Sequence, residues 1–440
     1  MSTEELKTLD DWLGFIERLH DKPIDLGLGR MKTMIERMGI HFDCPVITVA
    51  GTNGKGSTCA MLERIYREAG YRTGMHTSPH LLRFNERAVI CGREATDDEL
   101  IAAFRKVEAA RDGLSLSYFE YTGLAVLKLF QDAALDVVIL EIGLGGRLDA
   151  MNSIDADVSV IAAVGIDHTA FLGPTRELIG IEKAHIYRPG RPAVCSDPEP
   201  PATVPEFAHK IGARYFGLGR EFSIDEHADG TFGFRIGDLV WDPLPKPSLA
   251  GENQYRNAAG ALAAAALLRD RLPLTQDAVS RALADTHITA RFECVTKDPC
   301  PTILDVGHNP QAAGVLADNL RRSKRPGEWT IAVFGMLVDK DRPSVCRAVK
   351  GEIDEWYMSG LPTARGCSGD LLWASMEEAG IDMTRVTRTE SVAASLAAAR
   401  AAAQKRLAEH PEQPVRIIVF GSFVTVTGAL EALAAEGIRR

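Results

Sequence analysis

Two hydrophobic rhythms alternate along the chain. Short apolar runs rich in valine and isoleucine are separated by longer stretches whose apolar positions return every three or four residues, the patterns of buried strands and amphipathic helices. Thr8 to Leu19 reads as a helix, with Leu9, Trp12, Leu13, Ile16 and Leu19 on one stripe, and Met31 to Met38 as a second. A strand is expected from Pro45 to Ala50 and a helix from Cys59 to Ala69, closed by Gly70. Strands follow at Tyr71 to His76 and Arg87 to Cys91, and helices at Asp97 to Arg111, capped by Thr96, and Tyr118 to Gln131. Leu135 to Leu140 and Val158 to Val164 are almost purely apolar. Apolar strands alternating with helices predict an α/β fold: a doubly wound, mainly parallel sheet. Short β-like segments between Ala193 and Val240 are expected to continue or flank that sheet, before helices at Gly251 to Arg269 and Thr275 to Ala284.

The pattern loosens from Thr286 to Pro301 and then restarts. Strands are expected at Thr302 to Val306, Trp329 to Phe334, Glu355 to Met358 and Val415 to Phe420. Helices are expected at Pro310 to Arg322, from Pro343, and in the alanine-rich stretch Val392 to Gln404. The expectation is two domains, 1–296 and 297–440, the second a smaller Rossmann-like α/β unit.

The stretch PVITVAGTNGKGST at 45–58 runs from strand through glycine turn into helix. Thr52, Asn53, Gly54, Lys55, Gly56 and Ser57 then form an anion cradle: backbone N–H groups and the helix dipole face a ligand, Lys55 adds a charge, and the Ser57 hydroxyl is placed to ligate Mg²⁺. The spacing is a variant of the strict phosphate loop, because Gly56 separates Lys55 from the hydroxyl. An ordinary βα turn is the plainer alternative. Ligands in open α/β sheets sit beyond the C-terminal strand ends, where the next polar residues are Thr77, Ser78 and His80, then Glu141, then Asp167 and His168. Glu141 suits a hard Mg²⁺ ligand or a lysine partner; His168 suits a ligand or a structural histidine. By pattern alone Lys183 is a solvated helix residue, and Arg291 and Asp305 either close over a nucleotide or pair as a salt bridge.

Composition narrows the class. The chain has 440 residues, 45% hydrophobic and 25% charged, with a net charge of -10. That balance argues against a nucleic-acid surface, but not against anionic small molecules held by local cations. Cys44, Cys59, Cys91, Cys195, Cys294, Cys300, Cys346 and Cys367 are scattered without a C-x-x-C pair, as free thiols in a reducing compartment are. The polar, acidic start is not a signal peptide, and the apolar run Ala258 to Leu268 is too short to span a bilayer. A cytoplasmic protein with no membrane partner is expected.

Several motifs together carry a family resemblance. GTNGKGS (51–57), SPHL (78–81), LEIGLGGRLDA (140–150), GIDHTAFLG (165–173), EKA (182–184), RFE (291–293), DVGHNP (305–310) and GMLVDKD (335–341) closely resemble folylpolyglutamate synthases of the ATP-dependent Mur ligase superfamily. PIDLGLGR (23–30) and SYFEYT (117–122) are similar to the bacterial members that also act as dihydrofolate synthases. His185 stands where the family usually has glycine after E-K-A, Gly307 where alanine is common, and Val424 where close bacterial relatives often have histidine.

The resemblance implies a reaction. A pteroyl carboxylate attacks the γ-phosphate of ATP, and L-glutamate's amine then attacks the acyl phosphate. The expected substrates are dihydropteroate, tetrahydrofolate and glutamate, and the expected state is a monomer. By resemblance, 1–296 is the ATP-binding domain with pterin loops and 297–440 the glutamate-ligase domain. Thr52 to Ser57, Asn257, Arg291 and Asp305 match ATP-contacting positions. Pro23, Ile24, Asp25, Ser117, Tyr118, Phe119, Glu120, Leu148, Asp149 and Ala150 match the pterin region. One Mg²⁺ is expected near Ser57, Ser78 and Glu141, and a second near His168. In relatives the E-K-A lysine is carbamylated, which would make Lys183 a further metal ligand; Lys55, His168 and Lys183 are the expected catalytic residues. The alternatives are another amide ligase of the superfamily, against which the pterin-like loops argue, and a phosphate-loop switch protein.

Overall fold

The computed structural model describes residues 5–22, 25–297 and 299–438. Eight strands form the first sheet: β1 (Val46–Ala50), β2 (Thr73–His76), β3 (Ala88–Ile90), β4 (Arg93–Glu94), β5 (Val137–Glu141), β6 (Val158–Ile161), β7 (Pro192–Cys195) and β8 (Arg214–Gly217). Their order is β4-β3-β2-β5-β1-β6-β7-β8. The sheet is parallel from β2 to β8, with β3 and β4 antiparallel at one edge. Every residue of β1 and β5 is buried, as continuous apolar runs inside a parallel sheet require. The chain leaves β1 toward β2 and leaves β6 toward β7, so connections diverge at this pair of neighbours, where open α/β sheets form their binding crevice.

The helices are closed by their own side chains. Thr96 and Ser117 cap the helices Asp97–Arg111 and Tyr118–Asp132, and Glu99 and Glu120 return a bond to each cap residue's backbone. Trp12, Phe104, Tyr121 and Phe130 are fully buried in the core of this unit.

Two expectations need correction. Val158 to Val164 is a strand only as far as Ile161, because the groups beyond it serve the glycine loop. The Thr52 N–H donates to Ala163 O at 2.6 Å, and the Gly165 N–H donates to Thr52 Oγ1 at 3.0 Å. The segments between 193 and 240 do not all join the main sheet. β7 and β8 do, linked by an unforeseen helix at Thr203–Lys210, but β9 (Phe222–Glu226), β10 (Phe232–Ile236) and β11 (Leu239–Leu244) make a separate antiparallel sheet. Their connections are too short for a parallel crossover. Phe234 stacks on Trp241 and lies 6.3 Å from Phe222, ring centroid to ring centroid, which links the three strands.

The second sheet holds β12 (Arg291–Cys294), β13 (Thr302–Asp305), β14 (Trp329–Phe334), β15 (Glu355–Ser359), β16 (Val386–Thr389) and β17 (Val415–Phe420), in the order β12-β13-β17-β14-β15-β16. Only β12 is antiparallel to its neighbour. Arg416 on β17 is buried and donates to Thr330 Oγ1 at 3.0 Å and Leu320 O at 2.7 Å, with Glu328 at 3.3 Å. The chain divides into two compact units, 1–165 with 172–248 and 255–286, and 287–440 with 166–171 and 249–254. No helix among the described residues is long and apolar enough to cross a membrane, and all eight cysteines are free thiols.

Candidate active site

In the first unit the glycine loop leaves β1 and opens the helix Lys55–Glu68. Gly54 has φ +85°, and a β-carbon there would collide with the side-chain oxygen of Asn257. Only glycine gives both that backbone turn and that approach. Asn257, buried on the helix Asn253–Leu267, therefore lies against the loop its family match assigns it to. Lys55 Nζ donates to Gly51 O at 3.0 Å and Thr52 O at 3.2 Å, which folds its charge over the loop. Ser57, two residues on, is buried.

Glu141 is the last residue of β5 and pairs in register with Val49 of β1. Its buried carboxylate accepts the Ser78 N–H at 3.1 Å, which joins two of the expected metal ligands. The donors here are hard oxygens, and among the described residues no group of three or more His, Cys, Asp or Glu side chains is placed to hold a metal ion by itself. That donor set fits Mg²⁺, which binds through one or two carboxylates and keeps water and phosphate for the rest of its shell.

A second cluster lies around Phe119 and Asp149. A β-carbon on Gly143 would sit 2.9 Å from the Phe119 ring and 3.4 Å from Asp149 Oδ2, so Gly143 lets these two side chains meet. Asp149 accepts N–H groups from Leu144 and Met151, both at 2.9 Å. Burial pushes its carboxyl up to about 6 in spite of those donors. The His76 ring centroid is 6.1 Å from that of Phe119, and its Nδ1 bonds Arg87 O at 2.8 Å.

Glu120 is better explained as a brace than as a direct ligand of a substrate. Its carboxylate accepts the Ser117 N–H at 2.9 Å and Oγ–H at 2.8 Å, and Arg30 Nε at 3.0 Å. Arg30 also pairs with Asp25 Oδ2 at 2.7 Å. Asp25, Ser117 and Glu120 are thus tied together through a residue the sequence did not single out. Tyr118 lies under the Arg87 guanidinium, 5.7 Å from ring centroid to Cζ. Leu148 is half-buried and Ala150 buried. Pro23 and Ile24 fall outside the described residues.

Lys183 corrects the pattern reading. It is 4% exposed rather than solvated. The loop 143–149 covers its helix, Arg176–Ala184: a β-carbon on Gly146 would lie 2.7 Å from Glu182 O and 3.0 Å from Lys183 O, and the Arg147 N–H donates to Glu182 O at 3.0 Å. Local periodicity cannot report cover supplied by a loop thirty-odd residues upstream.

In the second unit His168 has φ +51°, and its N–H is bonded to Asp167 Oδ1 at 2.8 Å. Asp167 also accepts Lys340 Nζ at 2.6 Å and Asn309 Nδ2 at 3.1 Å, with His308 Nε2 at 3.4 Å. Burial alone would raise its carboxyl, but His308, Lys340 and His168 outweigh that and hold it far below the usual carboxylate range. Arg291 and Asp305 pair in register between β12 and β13, and the Arg291 guanidinium sits over the Phe423 ring at 5.7 Å. Burial raises the Asp305 carboxyl, although it accepts N–H groups from Gly307 at 2.7 Å and Phe292 at 3.0 Å.

Comparison with known proteins shows the family. Residues 290–423 match the model of the Mur ligase, glutamate ligase domain. The dihydrofolate synthase/folylpolyglutamate synthase of Escherichia coli (strain K12) is 41% identical over 97% of this chain and 96% of its own. The chain belongs to that family. A solved structure of E. coli FolC in complex with DHPP and ADP superposes with a TM-score of 0.89 at 39% identity, over 98% of this chain and 99% of that one. The bifunctional folylpolyglutamate synthase/dihydrofolate synthase of Yersinia pestis c092, complexed with AMPPNP and Mn ion, does so with a TM-score of 0.86 at 37% identity, over 97% and 98%.

For this Mur-type ligase, sequence reasoning passed over Arg30, His76 and Lys340. Arg30 and Lys340 lie inside the quoted stretches PIDLGLGR and GMLVDKD, so the motifs pointed to them before any role did. Nothing in the pattern around His76 marked it.

Proposed function

We propose that the chain, acting as a monomer, joins L-glutamate to the carboxylate of dihydropteroate and to that of tetrahydrofolate, converting ATP to ADP and phosphate. The observation that carries this reading is the junction of β1 and β5, where the loop bearing Lys55 leaves one strand beside the buried Glu141 that ends its neighbour. Residues 1–296 would bind the nucleotide and the pterin, and 297–440 would serve the glutamate step.

The substrate carboxylate attacks the γ-phosphorus, the bond to the ADP oxygen breaks, and an acyl phosphate forms. Such a transfer needs positioning and charge neutralisation above all. Lys55 would exchange its carbonyl acceptors, Gly51 and Thr52, for phosphate oxygens, so that its charge meets an anion instead of a neutral dipole. The loop amides from Thr52 to Ser57 hold the same phosphates, while Asn257, Arg291 and Asp305 contact the rest of the nucleotide. Bound Mg²⁺ supplies neutralisation between two anions that otherwise repel. Ser57, Ser78 and Glu141 would hold one ion and His168 a second, and Lys183 would be a further metal ligand. Carbamylation of Lys183, in which its neutral amine bonds CO₂ and loses a proton, would replace a cation that is costly to bury with an anion suited to the metal. Phe119, Tyr118 and Leu148 offer apolar walls to the pterin, Asp149 an acceptor, and Asp25, Ser117 and Ala150 the neighbouring edge.

The test is isotopic. Dihydropteroate labelled with oxygen-18 in its carboxylate is expected to pass one label into the phosphate released; unlabelled phosphate would exclude the acyl phosphate. For Lys183, carbon-13 bicarbonate is expected to give a carbamate resonance that Lys183→Arg abolishes. The same spectrum with and without the substitution would sink that role.

A further inference from the structure

The segment Ile166–Phe171 carries His168, yet little apolar burial holds it. Ile166 is 49% and Phe171 50% exposed, Thr169 and Ala170 are exposed, and only Asp167 and His168 are drawn in. What fastens the segment is polar. Asp167 Oδ1 accepts Lys340 Nζ at 2.6 Å and also the backbone N–H of His168 at 2.8 Å. Oδ2 accepts Asn309 Nδ2 at 3.1 Å, and Asn309 is itself fixed as the cap of the helix Pro310–Ser323, its Oδ1 bonded to the Ala312 N–H at 2.9 Å. The His168 backbone is left-handed, φ +51°, a conformation uncommon for a non-glycine residue.

We propose that Lys340 and Asp167 are positioning residues for His168. Lys340 holds Asp167 Oδ1, that oxygen holds the His168 N–H, and the imidazole's direction follows from the backbone so fixed. An ion pair kept for stability alone explains less. The Lys340 side chain is 3% exposed, and a buried pair is often no more stabilising than an apolar replacement, whereas one oxygen shared between a lysine and the next residue's N–H sets a geometry. The inference rests on the reading of His168 as a metal ligand. It gives Lys340 of the GMLVDKD motif a task that requires no contact with substrate.

The experiment is Mn²⁺ binding to the full chain with a non-hydrolysable ATP analogue, followed by electron paramagnetic resonance. Lys340→Met is expected to weaken Mn²⁺ binding about tenfold, as loss of an outer support of a metal ligand does. Lys340→Arg should restore most of it. The double variant Lys340→Met/His168→Ala should bind no more weakly than His168→Ala, and the KM for glutamate should not move. Where His168→Ala weakens Mn²⁺ binding, unchanged binding in Lys340→Met overturns the proposal, whether its defect then lies in the KM for glutamate or in melting temperature alone. Asp167→Asn serves if Lys340→Met does not fold. If His168→Ala itself leaves Mn²⁺ binding intact, the metal-ligand reading fails separately. The nitrogen-15 imidazole resonance of His168 then decides: a shift on Lys340→Met upholds the positioning role, and no shift overturns it.

Discussion

Single residues in this chain are most informative where burial works against charge. His76 is buried, with Nδ1 on Arg87 O and Nε2 without a hydrogen-bond partner among the described residues. Burial, reinforced by the nearby Arg87 charge, pushes its imidazole down to about 4 from 6.5, against the pull of the Arg87 carbonyl. The unfolded chain takes up that proton below about 6.5, the folded chain only near 4. This contribution to stability is therefore whole above pH 6.5 and is lost as pH falls toward 4, to a total of about 3 kcal/mol at 1.36 kcal/mol per pKa unit. Chemical denaturation of the parent and of His76→Phe across that window should give a flatter profile for the variant; parallel profiles would mean His76 is not the group responsible. A buried, strained or covered residue is where the sequence says least. Lys55, Ser57 and Glu141 were legible because a glycine loop and a strand end mark them locally. The cover over Lys183 and the bond from Lys340 to Asp167 come from distant segments, which no local pattern records.

At the scale of elements, the cap of the helix Tyr118–Asp132 does two things. Glu120 closes its own N-terminus through Ser117 and anchors Arg30, which reaches Asp25. Arg30→Met leaves Glu120 with Ser117 but removes its cation. We expect a loss of about 1–3 kcal/mol, the cost of a buried acceptor left short of a donor. We also expect a higher KM for dihydropteroate with the KM for ATP unmoved. A rise in the KM for ATP instead would place this cluster elsewhere in the reaction. Most elements could be read from periodicity because strands and capped helices state their ends in sequence: Thr96 and Trp329 begin their elements where the pattern said. The separate sheet of β9, β10 and β11 was missed because a single strand's pattern does not name its partner, and connection length decides that.

In the molecule as a whole, the phosphate loop, Ser78 and Glu141 lie in the first compact unit, and His168, Arg291, Asp305 and Lys340 in the second. An ATP-dependent ligase of this family sustains ADP release over many turnovers only when both an acid and an amine are present, whereas a nucleotide switch need not. The most direct measurement is steady-state ADP release by the full chain with dihydropteroate or tetrahydrofolate, with and without L-glutamate. The expected result is sustained release with either pterin acid only when glutamate is added, lowered about a hundredfold or more by Lys55→Ala, as when one preorganised donor to a developing charge is lost. Sustained release that ignores glutamate, or glutamate-dependent release with neither pterin acid, would contradict it.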